Sequence, residues 1–434
     1  LIFIKKVLIL TYYWPPSGGP GVQRWLKFVK YLPDSGYEPI ILTVDPAKAT
    51  YPVTDKSLLN EVPDNLQVIH TTTREPYNLY KKLLGRKQVP YSGFTNEPSD
   101  GWLGKISRFL RGNLFVPDAR KGWNYFAVKK AGELIKHYNI QFLITTSPPH
   151  STQLAGLKLK QLFPELTWIA DLRDPWTDIF YYSKMLHLPH IKKKDLRYEK
   201  TVLQNADIII TVSEFLRKIF LKKTGVEHHE KIHVVTNGFD HDDFNRPKAS
   251  REDKIFKLTY VGTISDEYDL SGFIKAIEKV KAEIKEELRI VFTGNICLRW
   301  KQPLMEKFSD IIQFKGHIGH QEAITEMQRA DMLLLVVPDI IQNEGIITGK
   351  IFEYLAASRP VLGIGPKSGD AAIVLNKTRT GQMFSYHDHE AMYRFIMQFA
   401  LKQKEWLPDQ DQINKFSRKV QTEKLVQLME SKRK

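Results

Sequence analysis

Short runs rich in Val, Ile and Leu recur along the whole chain, and the stretches between them carry apolar residues at helical spacing. Runs this continuously apolar belong to strands buried on both faces, so the alternation predicts parallel sheets covered by helices on each side. In the first half the predicted strands are Val7 to Thr11, Pro39 to Val44, Gln67 to His70, Phe142 to Thr146, Trp168 to Leu172, Ile208 to Val212 and His233 to Thr236. A polar, proline-containing stretch, Arg246 to Asp253, reads as a linker. A second series follows: Lys257 to Gly262, Arg289 to Thr293, Ile311 to Phe314, Met332 to Val337, Pro360 to Ile364 and the short Gly381 to Phe384. The expected fold class is α/β, with two Rossmann-like doubly wound parallel-sheet domains facing across a cleft. The first would occupy residues 1–245 with an insertion at about 74–125, and the second 255–405. A helical stretch near Gln410 to Met429, within a tail over 406–434, comes after the second sheet is complete and is expected to pack back on the first domain.

The 434 residues and 42% hydrophobic content suit two full cores and exclude a disordered or fibrous chain. The opening apolar run is too short for a secretory signal, no stretch is long enough for a membrane span, and the lone Cys297 cannot form an internal disulfide. The expected location is cytoplasmic. A net charge of +15 changes the picture, because residues 81–130 hold eleven Lys or Arg against three acids, just over half the excess. Such concentration predicts a localised basic surface for an anionic partner. If Trp102 to Phe115 is helical, Trp102, Leu103, Ile106, Phe109, Leu110 and Leu114 share one face while Lys105, Arg108 and Arg111 share the other. Both an interfacial helix resting on anionic lipid and an insertion helix packed on the first domain fit that pattern, the latter being preferred. No nucleic-acid motif accompanies the charge, and nucleic acid is not an expected partner.

Candidate chemistry lies at the strand ends. After the first strand comes Ser17-Gly18-Gly19-Pro20-Gly21-Val22-Gln23-Arg24, where glycines between a strand and a helix N-terminus let amides approach an anion. A phosphate or sugar site and a plain turn both fit Gly18 and Gly19. The dinucleotide fingerprint fails, since Gly19-Pro20-Gly21 leads to Arg24 where a third glycine is required.

Several segments occur in a telling order: the first strand with Gly18-Gly19, Thr211 to Glu214, Asn237 to Asp240, Tyr260 to Thr263, and Gly349-Lys350-Ile351-Phe352-Glu353-Tyr354-Leu355-Ala356-Ala357 followed by Arg359 to Leu362. Together they resemble glycosyltransferase family four, from about Lys5 to Gly381. The resemblance implies the GT-B fold and a retaining transfer from a nucleotide diphosphate sugar, with no metal or other cofactor. It places Glu353 at the position that accepts hydrogen bonds from the ribose hydroxyls, a task suited to a carboxylate. Thr348, Gly349 and Lys350 open the same helix, making Lys350 the preferred diphosphate cation, and Gly262 and Thr263 end the first strand of that domain. Gly316-His317-Ile318 sits where similar proteins read the base with backbone groups, though a simple turn fits as well.

Two departures stand out. The family's second glutamate falls on Gly345, with Glu344 one step away, and the Arg and Lys that usually follow the second domain's first strand are replaced by Ile264-Ser265-Asp266-Glu267-Tyr268-Asp269. Lys350, Arg299 or Arg24 would supply the missing charge, a divalent ion held by that loop's acids being the less favoured route. In the first domain, Thr145 to Ser151 and Ala170 to Trp176 end consecutive strands and should meet. Arg173-Asp174 stands where many relatives carry a His-Asp or His-Glu pair, so Asp174, Arg173 and His150 are the catalytic candidates; a buried ion pair of Arg173 with Asp171 or Asp174 is the structural alternative. The favoured function is sugar transfer to a glycan or lipid-linked acceptor in surface polysaccharide synthesis. A sugar-nucleotide epimerase or hydrolase on the same fold is the main rival, and a basic nucleic-acid-binding protein the other.

Overall fold

A computed structural model describes residues 5–75, 102–245, 255–284 and 287–432. The predicted linker and the 81–101 part of the basic insertion lie outside the described residues. The chain forms two compact units, residues 1–236 with 422–434, and residues 237–421.

The first unit holds a seven-stranded, wholly parallel sheet in the order β3-β2-β1-β4-β5-β6-β7. Its strands are β1 Lys5–Leu10, β2 Tyr37–Val44, β3 Gln67–Thr71, β4 Phe142–Ser147, β5 Thr167–Leu172, β6 Ile208–Thr211 and β7 Ile232–Val234. Both faces are covered, as the unbroken apolar runs require: Leu8, Leu10, Leu143 and Ala170 join one core, and Val7, Ile9, Ile144 and Ile169 the other. Residues of the last helix, Arg418–Ser431, complete the second of these cores, with Leu425 and Met429 fully buried. Pro39 lies inside β2, two residues after its start. Gly36 and Leu42 turn their carbonyls toward β1, so by alternation the nitrogen of residue 39 faces the β3 side, where pairing begins only at Ile40. The missing N–H therefore costs no ladder bond.

The second unit repeats the plan with six strands in the order β10-β9-β8-β11-β12-β13. They are β8 Phe256–Val261, β9 Leu288–Thr293, β10 Ile312–Gly316, β11 Met332–Val336, β12 Val361–Ile364 and β13 Gly381–Phe384. Every apolar run read as a strand is one, with ends moved by at most two residues. Both units are doubly wound parallel sheets of the Rossmann type. In each, the strand order reverses once, between β1 and β4 and between β8 and β11, and ligands of open α/β sheets bind outside the carboxyl ends at such a reversal.

Candidate functional site

At the reversal of the second sheet the chain leaves β8 through Gly262, whose φ of +131° is strained for any side-chain-bearing residue. The next strand end, Gly294, crosses so closely that a β-carbon there would lie 2.2 Å from the Gly262 carbonyl oxygen. Gly262 N–H donates to Thr293 O at 2.7 Å, and Gly294 N–H to Gly316 O at 2.6 Å, tying three neighbouring strand ends together. A β-carbon on Gly262 would stand 2.1 Å from Cε of Lys350, which therefore lies directly over that backbone.

Lys350 comes from the helix Gly349–Ala357, which follows β11 on the other side of the reversal. Its Nζ donates to Tyr260 Oη at 2.7 Å and sits 4.6 Å from that ring's centre, while Tyr260 Oη donates to Thr263 O at 2.8 Å. Burial pushes the ammonium down to about 8, with Glu353 acting the other way. One turn along, Glu353 Oε1 accepts from His320 Nε2 at 3.2 Å. Thr348 precedes the helix, its carbonyl accepting from Ile351 N–H and its Oγ1 buried without a partner. Space around Gly349 and Gly316 is open, His317 is exposed, and Ile318 leans on the core. Thr263 is exposed beside Gly262. Gly262, Thr263, Lys350 and Glu353 thus gather at one reversal, with Tyr260 and His320 as participants that the sequence reading missed. Only the tertiary fold joins His320 to a residue 33 positions away.

Arg299 reaches back to the loop after β8, donating to Asp266 O at 2.9 Å with its guanidinium 4.9 Å from the Trp300 ring centre. Two acids of that loop are held locally: Glu267 accepts from Ser265 Oγ and Asp269 from Ser271 N–H, each at 2.7 Å. Among the described residues no group of three or more His, Cys, Asp or Glu is arranged to hold a metal ion. Glu344 lies in the turn Asn343–Gly345, anchored by Asn343 to Pro338 O and Tyr386 Oη.

The reversal of the first sheet is built differently. Gly18 and Gly19 lie between β1 and the helix Pro20–Tyr31, but Gly18 N–H donates to Val53 O at 3.0 Å and Ser17 bridges Thr54. The expectation of an anion-facing amide at Gly18 gives way to a loop stitched to residues 53–55. Arg24 is corrected as well. It is fully buried, paired with Asp171 at 3.1 Å, and donates to Thr236 O and Val235 O, so it is unavailable as a diphosphate cation. Asp171 also accepts from Trp25 Nε1 and Thr146 Oγ1, both at 2.8 Å. The buried ion pair expected of Arg173 with Asp171 is therefore made by Arg24.

Arg173 instead donates to Ser147 O at 2.9 Å and Pro148 O at 3.2 Å, which brings the loops after β4 and β5 together. Its guanidinium presses on Gly21, where a β-carbon would lie 2.2 Å from Nη1. Burial raises the Asp174 carboxyl, with Arg173 opposing. His150 stacks on Trp176 with ring centres 4.8 Å apart, and its Nδ1 is buried without a partner. Burial first, then Arg173 and Lys223, push the imidazole down to about 3, so it is neutral near pH 7. Arg173, Asp174 and His150 thus share one corner.

The insertion helix runs Trp102–Leu114. It packs on residues 185–188: Gly112 abuts Met185 O, Asn113 donates to Leu186 O at 3.1 Å, and Leu188 N–H donates to Asn113 Oδ1 at 2.7 Å. Phe109, Leu114 and Lys105 remain exposed. Among the described residues no helix is long and apolar enough to cross a membrane.

Two Rossmann-type sheets, the second with a cation and a carboxylate at its reversal, define a two-domain doubly wound α/β class of protein. Within it, residues 21–243, half of the chain, match the model of Glycosyltransferase Family 4, and the chain belongs to that family. A stretch of 181 residues, 40% of the chain, is 25% identical to TuaH of Bacillus subtilis (strain 168), whose assigned role is that of a teichuronic acid biosynthesis glycosyltransferase. The match spans 43% of that protein, less than half its length. Among solved structures the chain is similar to Anabaena Alr3699/HepE in complex with UDP (TM-score 0.63, 12% identity, 98% of this chain and 100% of that one). It is also similar to sucrose-phosphate synthase of Thermosynechococcus elongatus (TM-score 0.61, 13% identity, 98% of each chain). These likenesses establish the fold, which is GT-B.

Proposed function

We propose that the protein is a retaining glycosyltransferase that moves a hexose from a nucleotide diphosphate sugar to a glycan or lipid-linked acceptor in surface polysaccharide synthesis. The observation that carries this reading is the Lys350 ammonium laid over Gly262 at the reversal of the second sheet. A leaving diphosphate needs its growing negative charge stabilised more than it needs a proton. Lys350 and the N-terminal amides of its helix supply that stabilisation, and no metal ion enters the scheme. Glu353 accepts from the ribose diol, and the backbone of Gly316, His317 and Ile318 reads the base. Arg173, Asp174 and neutral His150 orient the acceptor or the transferred sugar. Arg299 contributes charge near the loop after β8.

Family membership, the polysaccharide role of TuaH and the bound UDP of Alr3699/HepE support the donor and the pathway class. We further assign the basic segment 81–130 to contact with an anionic membrane on the cytoplasmic side, supported by exposed Phe109 and Leu114 on the same helix as Lys105. Co-sedimentation with anionic but not zwitterionic vesicles tests that assignment.

The decisive experiment is calorimetric titration of UDP, GDP, ADP and dTDP, and their common sugars, into wild type and Glu353→Ala. One diphosphate should bind, and lose affinity in the variant. Absence of binding across the panel overturns the donor site. Release of free sugar or an isomer without acceptor moves the assignment to a hydrolase or epimerase, and the anomeric configuration of the product by NMR tests retention.

A further inference from the structure

Glu353 stands on a helix surface with three rotatable side-chain bonds, and a carboxylate left to wander must be ordered each time a ligand binds. Here it is not left to wander. His320, the first residue of the helix His320–Arg329, reaches across to the helix Gly349–Ala357 and holds Oε1 at 3.2 Å. A carboxylate only accepts, so Nε2 carries the hydrogen in this contact. The pair is 36% and 25% exposed, and ion pairs or hydrogen bonds so open to water add little to stability. Nor is it needed to join the two helices, because Ala323 and Met327 of one pack with Ile351, Phe352 and Leu355 of the other in a single buried cluster. What the contact does is engage one particular oxygen of Glu353, Oε1.

We propose that His320 is a positioning residue that pins one oxygen of Glu353 so that the other meets the ribose diol, and that it thereby sets the preference for ribonucleotides over 2′-deoxyribonucleotides. The proposal rests on the reading of Glu353 as the ribose acceptor.

The test is calorimetry on the full chain with the best-binding diphosphate among UDP, GDP and ADP, and with its 2′-deoxy analogue. Wild type should prefer the ribonucleotide by about tenfold, the range of one hydrogen bond to a charged group. In His320→Ala the preference should fall to about threefold or less, with affinity for the deoxy analogue changed less than about twofold. His320→Gln, which keeps an N–H at the same reach, should retain most of it. Glu353→Ala should abolish the preference, and His320→Ala added to it should change nothing further, as expected of a residue acting through another. Equal preference in wild type and His320→Ala, with Glu353→Ala still abolishing it, overturns the proposal and leaves Glu353 as the ribose acceptor. Equal weakening of both nucleotides by His320→Ala also overturns it. No preference in wild type removes the ribose role of Glu353, and this proposal with it.

Discussion

The two sheets share parallel pairing, one reversal of strand order and an apolar interior, yet their carboxyl edges put charge to opposite uses. At the first, Arg24 and Asp171 are both fully buried and consume one another, with Trp25, Thr146 and two backbone carbonyls completing the set. At the second, each charge is hydrogen-bonded to a hydroxyl or a ring nitrogen. Lys350 leans on the Tyr260 hydroxyl and Glu353 on an imidazole, and three glycine-tied strand ends keep the surface close and bare. A charge matched by an opposite charge holds a fold together. One hydrogen-bonded to a hydroxyl or an imidazole is less fully neutralised.

The comparison breaks first, and hardest, at Asp171. Asp171→Asn leaves the Arg24 charge buried and unmatched, a defect of about 3–5 kcal/mol. Urea unfolding followed by tryptophan fluorescence should show that loss, with nucleotide binding at the second unit kept; a change no larger than that of a surface variant would mean the first edge is not locked. Next comes Gly262→Ala. The φ of +131° and the 2.1 Å approach to Lys350 Cε should together cost about 1–3 kcal/mol and displace the ammonium, weakening diphosphate binding by roughly tenfold or more.

Lys350→Ala should cost on the order of tenfold in diphosphate affinity without destabilising the protein, since a buried ammonium is relieved. Wild type offers the same test through pH. Because Lys350 is pushed down to about 8, diphosphate affinity should fall as pH rises through that value, and Lys350→Ala should flatten the profile. Stability should move the other way. From about pH 8 to the ordinary lysine range the unfolded chain holds the proton that the folded one has released, so Lys350 contributes rising stability with pH there. The smallest effect is expected at His150. Held near 3, its imidazole does not titrate between pH 5 and 8, and His150→Gln should leave the pH dependence of turnover unmoved over that window even if the rate changes. A shifted profile would instead give His150 an acid-base role.

Some of this was legible in residues alone because strand and helix are local events. Apolar runs of the right length marked each strand, and the order Gly349, Lys350, Glu353 set a cation and a carboxylate on one helix. Arg24 shows where that reading runs out. It was one of three residues offered to supply the missing diphosphate charge, whereas its partner Asp171 is 147 residues away and makes it structural. Gly18 went the same way, its amide claimed by Val53. His320 carried no signal beyond standing at a helix start.

The sequence by itself determined the two parallel sheets, through hydrophobic period and turn chemistry, and its resemblance to glycosyltransferase family four nominated Lys350 and Glu353. Tertiary structure alone decided which charges are spent and which are kept. That distinction depends on burial and on partners tens to hundreds of residues distant, which side-chain identity does not encode locally.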